Sequence, residues 1–268
     1  MSQHFSDLAL AQRLESTEGR GNAAFVEAQA RLDPNSGAIW KHSGHTLLMF
    51  AGVGSPLTQT FCLGLFERPS ESELAAVERF FTSRGSAVFH ETCPLAGVEL
   101  FATLTQRGYK PCELSTVLFR PIDPAAASTA NETLRVRIAE PGEVDHYARV
   151  ASQGWSEHPE VMPYIEGFAR LSLSSATCFV AERAGEAIAT AALFMHEGTA
   201  LLAGASTVPL GRRQGAQNAL LDARLRHAAS KGCDLAMMVA APGSPSQRNA
   251  ERQGFRIAYT RTKWQLDA

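Results

Sequence analysis

The sequence predicts a mixed α/β protein built from two similar halves that a short linker joins. The chain has 268 residues, of which 45% are hydrophobic and 19% charged, as is typical of globular domains with packed cores. Hydrophobic periodicity alternates between the helical and the strand repeat, and both halves end in the order helix, strand, helix, strand. Residues 121–132 between them are rich in proline and small residues. We therefore expect one domain over 1–120, a linker over 121–132 and a second domain over 133–268.

The first half contains alternating helical and strand patterns. The expected helices cover 7–15, 23–32, 70–81 and 98–106, and the expected strands cover 46–52, 60–66, 87–91 and 115–120. Ser70, followed three residues later by Glu73, matches the capping-box pattern that opens a helix. This helix has an apolar stripe that can pack on a sheet, formed by Leu74, Val77, Phe80 and Phe81.

The second half repeats this arrangement at greater length. Its expected strands cover 134–139, 178–182, 187–195, 200–207, 235–240 and a last segment ending at Trp264. Helices are expected from Pro141, up to Leu173, over 215–230 and over 247–252, and tight turns at 184–185 and 197–198. The similar order in the two halves indicates two copies of one fold.

Composition excludes several classes of protein. The net charge of -2 provides no basic field for binding nucleic acid. No apolar run is long enough to cross a bilayer, and residues 1–15 lack the apolar core of a signal peptide. We therefore expect no nucleic-acid or membrane partner and a cytoplasmic location. The 5 cysteines are scattered and form no C-x-x-C pair, so neither a disulfide framework nor a thiolate zinc site is indicated.

His42 and His45 form a close histidine pair. Ser43 and Gly44 lie between them, and such a pair of small residues is typical of a hairpin turn between two strands. A metal site at the two histidines is the alternative, and we expect no metal.

The segment from Ser206 to Leu221 carries the most informative pattern. A strand ends near Thr207, a loop with Arg212 and Arg213 follows, and an amphipathic helix opens beside Gly215. The apolar positions of this helix follow helical spacing, at Ala216, Ala219, Leu220, Ala223 and Leu225. The first turn of a helix offers unpaired N–H groups and the positive end of the helix dipole, which together suit a phosphate. A solvated arginine-rich turn is the alternative for these residues alone.

This segment resembles the pyrophosphate-binding signature of the GNAT acetyltransferase superfamily, (Arg/Gln)-x-x-Gly-x-(Gly/Ala). Arg212 matches the first position, Gly215 matches the central glycine, and Pro209 lies where many members carry proline. Gln217 departs from the pattern, because it holds the place of the last glycine or alanine. Its side chain must therefore turn outward or cover the phosphates.

The residues downstream extend the resemblance. A strand over 235–240 is broken at 242–244, and a short helix then ends in Gly254-Phe255, as in GNAT proteins. Asn249 matches an asparagine that many members turn toward CoA, with a solvent-facing or capping residue as the alternative. The resemblance covers roughly 135–264. Together with the similar order of elements in the first half, it implies two tandem GNAT-like domains, each with a mixed, mostly antiparallel sheet flanked by helices.

The resemblance also implies a set of cofactor-binding and catalytic residues. Acetyl-CoA would be the cosubstrate, held by Ala205, Ser206, Thr207, Arg212, Arg213, Gln214, Gly215, Ala216, Gln217 and Asn249. A backbone N–H near Ala205 to Thr207 would polarise the thioester carbonyl. The tyrosine that commonly protonates the leaving thiolate falls at Ala250, so this acid is missing.

The candidates for proton transfer are Glu157, His158, Ser206 and Tyr259. Glu157 and His158 lie in the loop where the acceptor enters in GNAT proteins, and each has a structural alternative as loop charge. Ser206 has the alternative of an ordinary strand hydroxyl, and Tyr259 that of a core aromatic. Trp155 and Tyr164 either line the acceptor pocket or pack on the core.

The predicted function is transfer of an acetyl group from acetyl-CoA to a small-molecule or protein amine, in a ternary complex, by a monomer or homodimer. A non-catalytic acyl-CoA-binding regulatory module is the alternative. A Rossmann or Walker nucleotide site ranks last, because neither G-x-G-x-x-G nor G-K-[ST] follows a strand. The first half carries Glu71 and Glu73 in the corresponding helix turn, so we expect one acetyl-CoA per chain.

Overall fold

The structure, a computed structural model, describes residues 5–125 and 133–267, so most of the expected linker lies outside the described residues. The chain forms two compact units. The first comprises Met1–Arg120 together with Met237–Ala268, and the second comprises Pro121–Ala236. One division between the units falls at residue 120, and residues 237–268 belong to the first unit.

Most helices and strands of the first unit begin and end close to where periodicity places them, and the exceptions are the first helix, the third strand and the start of the fifth strand. They are α1 (Leu8–Leu32), β1 (Ile39–Ser43), β2 (Thr46–Phe50), β3 (Gln59–Phe61), α2 (Glu71–Thr82), β4 (Val88–Thr92), α3 (Val98–Gln106), β5 (Lys110–Pro121), most of β10 (Leu235–Ala240), α7 (Pro245–Arg252) and β11 (Arg256–Leu266).

Residues 237–268 join the first unit because their last strand completes its sheet. The strand order is β1-β2-β3-β4-β11-β5-β10, and β11 pairs antiparallel with both β4 and β5. Within this order β3 and β4 are parallel, and β1, β2 and β3 form an antiparallel series. The core behind this sheet includes Leu48, Phe81, Leu104 and Trp264. The C-terminal strand is therefore a structural part of the N-terminal unit.

A single helix replaces the two helical stretches expected near the N-terminus. The separate helices over 7–15 and 23–32 are wrong as boundaries, because α1 runs unbroken through Gly19 and Gly21. A side-chain carbon at Gly19 would lie 3.0 Å from Phe61 Cβ. The glycine therefore allows close packing against β3 and does not end the helix.

The expected strand over 60–66 is wrong beyond Phe61. Cys62 and Gly64 adopt positive φ angles of 67° and 71°, which an extended strand does not tolerate. The backbone turns there, and a hydrogen bond of 3.2 Å from Leu65 N to Cys62 O closes the turn.

Two local predictions in the first unit are confirmed. Strands β1 and β2 form a hairpin in which Ser43 pairs with Thr46, and Gly44 takes a φ of 55°. At the start of α2, Ser70 Oγ accepts from Glu73 N at 3.3 Å, and Glu73 Oε2 accepts from Ser70 N at 2.7 Å. The capping box is thus complete.

The second unit is an antiparallel series of four strands with helices. Its elements are β6 (Arg135–Ile138), α4 (Val144–Gln153), α5 (Met162–Ser175), β7 (Thr177–Arg183), β8 (Glu186–His196), β9 (Thr199–Thr207) and α6 (Ala216–Ser230). The strands pair in the order β6-β7-β8-β9. One hydrophobic cluster includes Tyr147 of α4 with Cys178, Val180 and Ala192 of the strands. Helix α6 also packs on β7, β8 and β9.

Within the described residues, no helix combines the length and apolar character that a membrane span requires. The same part of the chain holds no group of three or more histidine, cysteine or acidic side chains arranged to bind a metal ion. All 5 cysteines are thiols, and only Cys112 is exposed.

Candidate functional site

The segment between β9 and α6 is a tight loop held against β8. Val208 N donates to Ile188 O at 3.0 Å, and a short 3₁₀ turn over Pro209–Gly211 follows. A side-chain carbon at Gly211 would lie 2.8 Å from Ile188 Cβ, so only glycine fits there without a shift. Gly215 then takes a left-handed φ of 83°, which lets the chain turn directly into α6.

The first turn of α6 has no side-chain cap. Gly215 is the N-cap residue and has no side chain to accept from the first-turn amides, and the turn contains no acidic residue. The leading N–H groups of a helix have no intrahelical partner and carry the positive end of the helix dipole. This end of α6 is therefore suited to an anionic group such as a phosphate.

Arg212 joins this loop to the segment between α4 and α5. Its Nη1 donates to Glu157 Oε2 at 2.8 Å, and its Nη2 donates to Gly154 O at 3.1 Å. The side chains of Arg212 and Glu157 are 39% and 63% exposed, so water screens the ion pair. The guanidinium is thus accessible at the surface beside the start of α6.

The two glutamines of the loop support its shape. Gln217 Nε2 donates to Thr207 Oγ1 at 2.7 Å, and Gln214 Nε2 donates to Leu210 O at 2.7 Å. Arg183 also donates to Gln214 Oε1. Gln217, which departs from the signature pattern, therefore turns back to the end of β9, and the side chain of Arg213 is exposed.

A bulge interrupts β9 just before this loop. Thr190 pairs with Ser206, but the next pair joins Ala192 to Ala203, so β9 carries one more residue than β8 between the two pairs. Gly204 takes a left-handed φ of 59° within the bulge. Both Gly204 and Ala205 are exposed, so the bulge leaves backbone accessible at the surface.

Residues 144–255 match the family model described as Acetyltransferase (GNAT) family. The chain carries a GNAT acetyltransferase domain. Proteins of this family transfer an acyl group from acyl-CoA, so the domain belongs to a family of acyltransferases. No curated protein matches the chain.

Solved structures share the fold over nearly the whole chain. A GCN5-related N-acetyltransferase from Kribbella flavida is 16% identical with a TM-score of 0.64, and the match covers 93% of this chain and 95% of that one. A tandem GNAT protein from the clavulanic acid biosynthesis pathway is 12% identical with a TM-score of 0.63, over 98% and 97%. A GCN5-related N-acetyltransferase from Sphaerobacter thermophilus is 14% identical with a TM-score of 0.57, over 94% and 91%. The protein thus has a mixed α/β fold with two GNAT-like domains.

Two of the four candidate catalytic residues lie in the exposed loop between α4 and α5 of the GNAT domain. Glu157 is paired with Arg212, as described above. His158 Nδ1 lies 3.6 Å from Glu160 Oε1, and the His158 side chain is 62% exposed. The structure thus brings Glu157 to the loop that precedes α6. The catalytic roles of Glu157 and His158 stay predictions.

Ser206 is buried beneath the bulge of β9. Its Oγ donates to Ala151 O of α4 at 2.7 Å, which commits the hydroxyl proton to a backbone carbonyl. A side-chain carbon at Gly154 would overlap Ser206 Oγ and lie 3.0 Å from Thr207 N. The end of α4 therefore packs directly on the end of β9, which the sequence did not reveal.

Tyr259 and Asn249 belong to the first unit. Tyr259 is 7% exposed, and its hydroxyl donates to Glu15 Oε1 at 2.9 Å. Asn249 lies on the exposed face of α7, where its Oδ1 accepts from Arg252 Nη1 at 3.0 Å. Ala250, at the position of the missing tyrosine, is buried. These contacts give Tyr259 and Asn249 structural partners, and their functional roles stay predictions.

Sequence reasoning missed two residues of the second unit. Gly154 allows α4 to touch β9, and a single glycine in a loop gives no signal of such contact. Arg224 lies on the buried face of α6. Its position four residues after the buried Leu220 is the signal that could have placed it there.

Proposed function

We propose that the GNAT domain binds acetyl-CoA at the loop after β9 and transfers its acetyl group to an amine in a ternary complex. One observation carries the proposal. Helix α6 begins at Gly215 with no side-chain cap and no acidic residue in its first turn, directly after two arginines. A pyrophosphate would fill both the hydrogen-bonding and the electrostatic need of this helix end.

The residues present fit the pyrophosphate of CoA. The backbone amides at Gly215, Ala216 and Gln217 would hold the phosphate oxygens, and the absence of a Cβ at Gly215 permits close approach. Arg213 is exposed beside them, and Arg212 can turn from Glu157 because that ion pair is largely solvated. Gln214 and Gln217 would keep the loop in shape through their bonds to Leu210 and Thr207.

Acetyl-CoA supplies an activated acyl carbon in a thioester. A neutral amine attacks this carbon, so that an N–C bond forms while the C–S bond breaks. The amine loses a proton and the departing sulfur gains one. The backbone N–H groups at 205–207, next to the bulge, would donate to the thioester oxygen as its charge develops. Ser206 would hold this segment in place through its bond to Ala151 O.

Glu157 is our leading candidate for accepting the amine proton. It is exposed, lies in the loop where GNAT proteins admit the acceptor, and exchanges its partner when Arg212 turns toward phosphate. His158 is the second candidate, through its position one residue further along the same loop. Trp155 and Tyr164 are 40% and 66% exposed, so both rings are accessible to an amine acceptor of the small-molecule or protein class.

A thermal-shift titration with acetyl-CoA tests cofactor binding, and detection of released CoA thiol tests transfer. Ligand at about 100 times its dissociation constant stabilises a folded protein by about 2.7 kcal/mol. We expect a clear upward shift with acetyl-CoA and with CoA, and none with NAD or ATP. Absence of any shift at saturating acetyl-CoA would contradict the proposal.

A non-catalytic acyl-CoA-binding module is the second candidate function. It is favoured by the hydroxyl groups of Ser206 and Tyr259, which both donate to partners inside their own units, and by the alanine at position 250. Incubation with acetyl-CoA and a panel of small primary amines and lysine-containing peptides separates the two. A thermal shift without thiol release from any amine would favour the binding module.

A further inference from the structure

Arg224 is a buried cation that has no anionic partner among residues 5–125 and 133–267. It lies on α6 and is 4% exposed. Its Nε donates to Leu220 O at 3.2 Å, and its Nη1 donates to Ala192 O at 3.3 Å and to Ala203 O at 3.4 Å. All the partners that the described part of the chain offers it are backbone carbonyls.

Such a cation lowers the stability of the fold. Burial without a carboxylate disfavours the charged guanidinium and lowers the pKa of Arg224 to about 10. Removing a charge from water costs several kcal/mol unless an opposite charge compensates it. The Tyr147 phenol is close enough to interact with the guanidinium electrostatically but is neutral, since burial raises its pKa. A leucine or methionine would fill the same place at lower cost, so a role other than stability is indicated.

The two strand carbonyls that Arg224 contacts belong to the residue pair at the β9 bulge. Ala192 and Ala203 face each other at the point where the register between β8 and β9 shifts. A bulge disrupts the ladder locally and leaves backbone groups to find other partners. Arg224 donates to one carbonyl on each strand at the Ala192–Ala203 end of the bulge, and so links β8 and β9 where their own pairing is interrupted.

Helix α6 connects the proposed phosphate-binding turn with the bulge of β9. Helix α6 begins at the loop that would hold the pyrophosphate, and Arg224 lies nine residues after Gly215, about 13 Å along the helix axis at 1.5 Å per residue. A rigid helix therefore fixes the distance between the phosphate-binding turn and the bulge.

We propose that Arg224 is a positioning residue that braces the bulge of β9 and so fixes the direction of the backbone N–H groups at 205–207 toward the thioester oxygen. This inference rests on the proposed acyl transfer. Arg224 touches neither cosubstrate and acts only through Ala192 and Ala203. Its loss should therefore change turnover and leave binding of the phosphates intact.

Arg224→Met and Arg224→Lys test the brace, and Arg226→Met is the matched control. Arg226 lies on the same helix but is exposed and pairs with Asp222. Four readouts are needed: amide hydrogen exchange over 203–207, acetyl-CoA affinity by calorimetry, thermal stability, and thiol release from acetyl-CoA with the best small amine of the panel. Loss of one oxyanion donor costs about a hundredfold or more in turnover. Loosening of the bulge would misdirect the donors without removing them, and we therefore expect a smaller loss in turnover, of about tenfold.

The expected pattern for Arg224→Met is faster exchange over 203–207 and turnover lowered about tenfold, with affinity changed by less than about twofold and no loss of thermal stability. Arg224→Lys should recover part of the turnover, since an ammonium can still donate to one strand carbonyl. Arg226→Met should behave as the wild type in all four readouts.

Two results would overturn the inference. Arg224→Met could leave exchange and turnover unchanged, which would mean that the bulge needs no brace. It could also lower stability, affinity and turnover together, which would mean that the arginine only holds the fold. If the wild type binds acetyl-CoA but transfers to no amine, the proposed function fails, and the exchange readout alone then decides whether Arg224 braces the bulge.

Discussion

The two units of the chain differ in what surrounds one helix N-terminus and one buried arginine in each. In the first unit, Ser70 caps α2, and the buried Arg261 forms an ion pair of 2.6 Å with Glu18. In the second unit, α6 begins at Gly215 without a side-chain cap, and the buried Arg224 contacts only carbonyls among the described residues. At these two places the first unit supplies partners from its own side chains. Helix α6 of the second unit instead begins with backbone amides that an anion can use.

This difference supports the proposal that the cofactor binds to the second unit and not to the first. The first turn of α2 contains Glu71 and Glu73, and hydrogen bonds from Ser70 lower the pKa of the Glu73 carboxyl. These carboxylates already complement the helix dipole and would repel a phosphate. An anion can therefore gain interactions at α6 and none at α2. We expect one acetyl-CoA per chain.

The largest effect is expected from a negative charge at the start of α6. Gly215 takes a φ of 83°, which aspartate and asparagine tolerate better than other side chains. Gly215→Asp should lower acetyl-CoA affinity by at least about a hundredfold, or about 2.7 kcal/mol, because its carboxylate would lie where the pyrophosphate binds. Isothermal titration calorimetry measures this loss.

Gly215→Asn is the matched control, since it adds a side chain of the same shape without the charge. Its affinity should lie between that of the wild type and that of Gly215→Asp. Equal losses in the two variants would show that shape and not charge excludes the ligand. Wild-type affinity in Gly215→Asp would place the cofactor elsewhere.

A pH-dependent effect is expected from the buried charges of the first unit. Burial raises the pKa of Glu15 to about 7, and the neighbouring carboxylates Glu18 and Glu91 also raise it. Arg261 and the hydrogen bond from Tyr259 act in the opposite direction and lower this pKa. The folded state therefore holds a proton that the unfolded chain releases near pH 4.5. The contribution of Glu15 to the free energy of unfolding is fully present below pH 4.5 and is lost as the pH rises through about 7. The loss amounts to at most about 3 kcal/mol.

Glu15→Gln should remove this pH dependence and keep the acceptor for Tyr259, so its stability relative to the wild type should rise between pH 4.5 and 7. The difference between the two proteins is the quantity to measure by urea denaturation, because His90 contributes an opposite slope: burial lowers its pKa to about 3. Glu27→Gln, at an exposed position of the same helix, should follow the wild type. A constant difference across the window would contradict the buried proton.

A smaller effect is expected at the cap of α2. Ser70→Ala removes the side chain that accepts from Glu73 N and should lower the free energy of unfolding by about 1 kcal/mol. Ser72→Ala, which loses only a hydroxyl contact with Ser70, should cost less. Neither variant should change the affinity or the stoichiometry for acetyl-CoA. A change in either quantity after loss of this cap would contradict the assignment of α2 as a non-binding helix.

Local patterns predicted the helices and strands well, because each rests on interactions between near neighbours. The capping box at Ser70 and the hairpin at Gly44 depend on a few consecutive residues. The continuity of α1 was missed because Gly19 is explained only by Phe61, which lies far along the chain. The placement of β11 between β4 and β5 was missed for the same reason, since strand order is not encoded by periodicity.

The candidate site was predictable where it follows a backbone rule and not where it depends on tertiary contacts. Gly215 was found because a glycine that opens a helix after arginines has a direct physical meaning. The ion pair of Arg212 with Glu157 was not predicted, because the two residues lie 55 positions apart. The burial of Arg224 was not predicted, because only its bonds to Ala192 and Ala203 explain it.

The smallest effect is expected at the exposed pair of Arg212 and Glu157. Such a pair contributes about 0–1 kcal/mol, so Glu157→Gln should leave the free energy of unfolding nearly unchanged. The same variant should raise acetyl-CoA affinity by about twofold to tenfold, because Glu157 and the pyrophosphate compete for one guanidinium. Glu160→Gln is the matched control, since Glu160 lies in the same loop but contacts His158. Calorimetry at low and high salt measures both variants, and the gain should shrink as salt screens the pair. A loss of affinity in Glu157→Gln would mean that the ion pair holds Arg212 in its binding position, and the α6 site would then be formed before the ligand arrives.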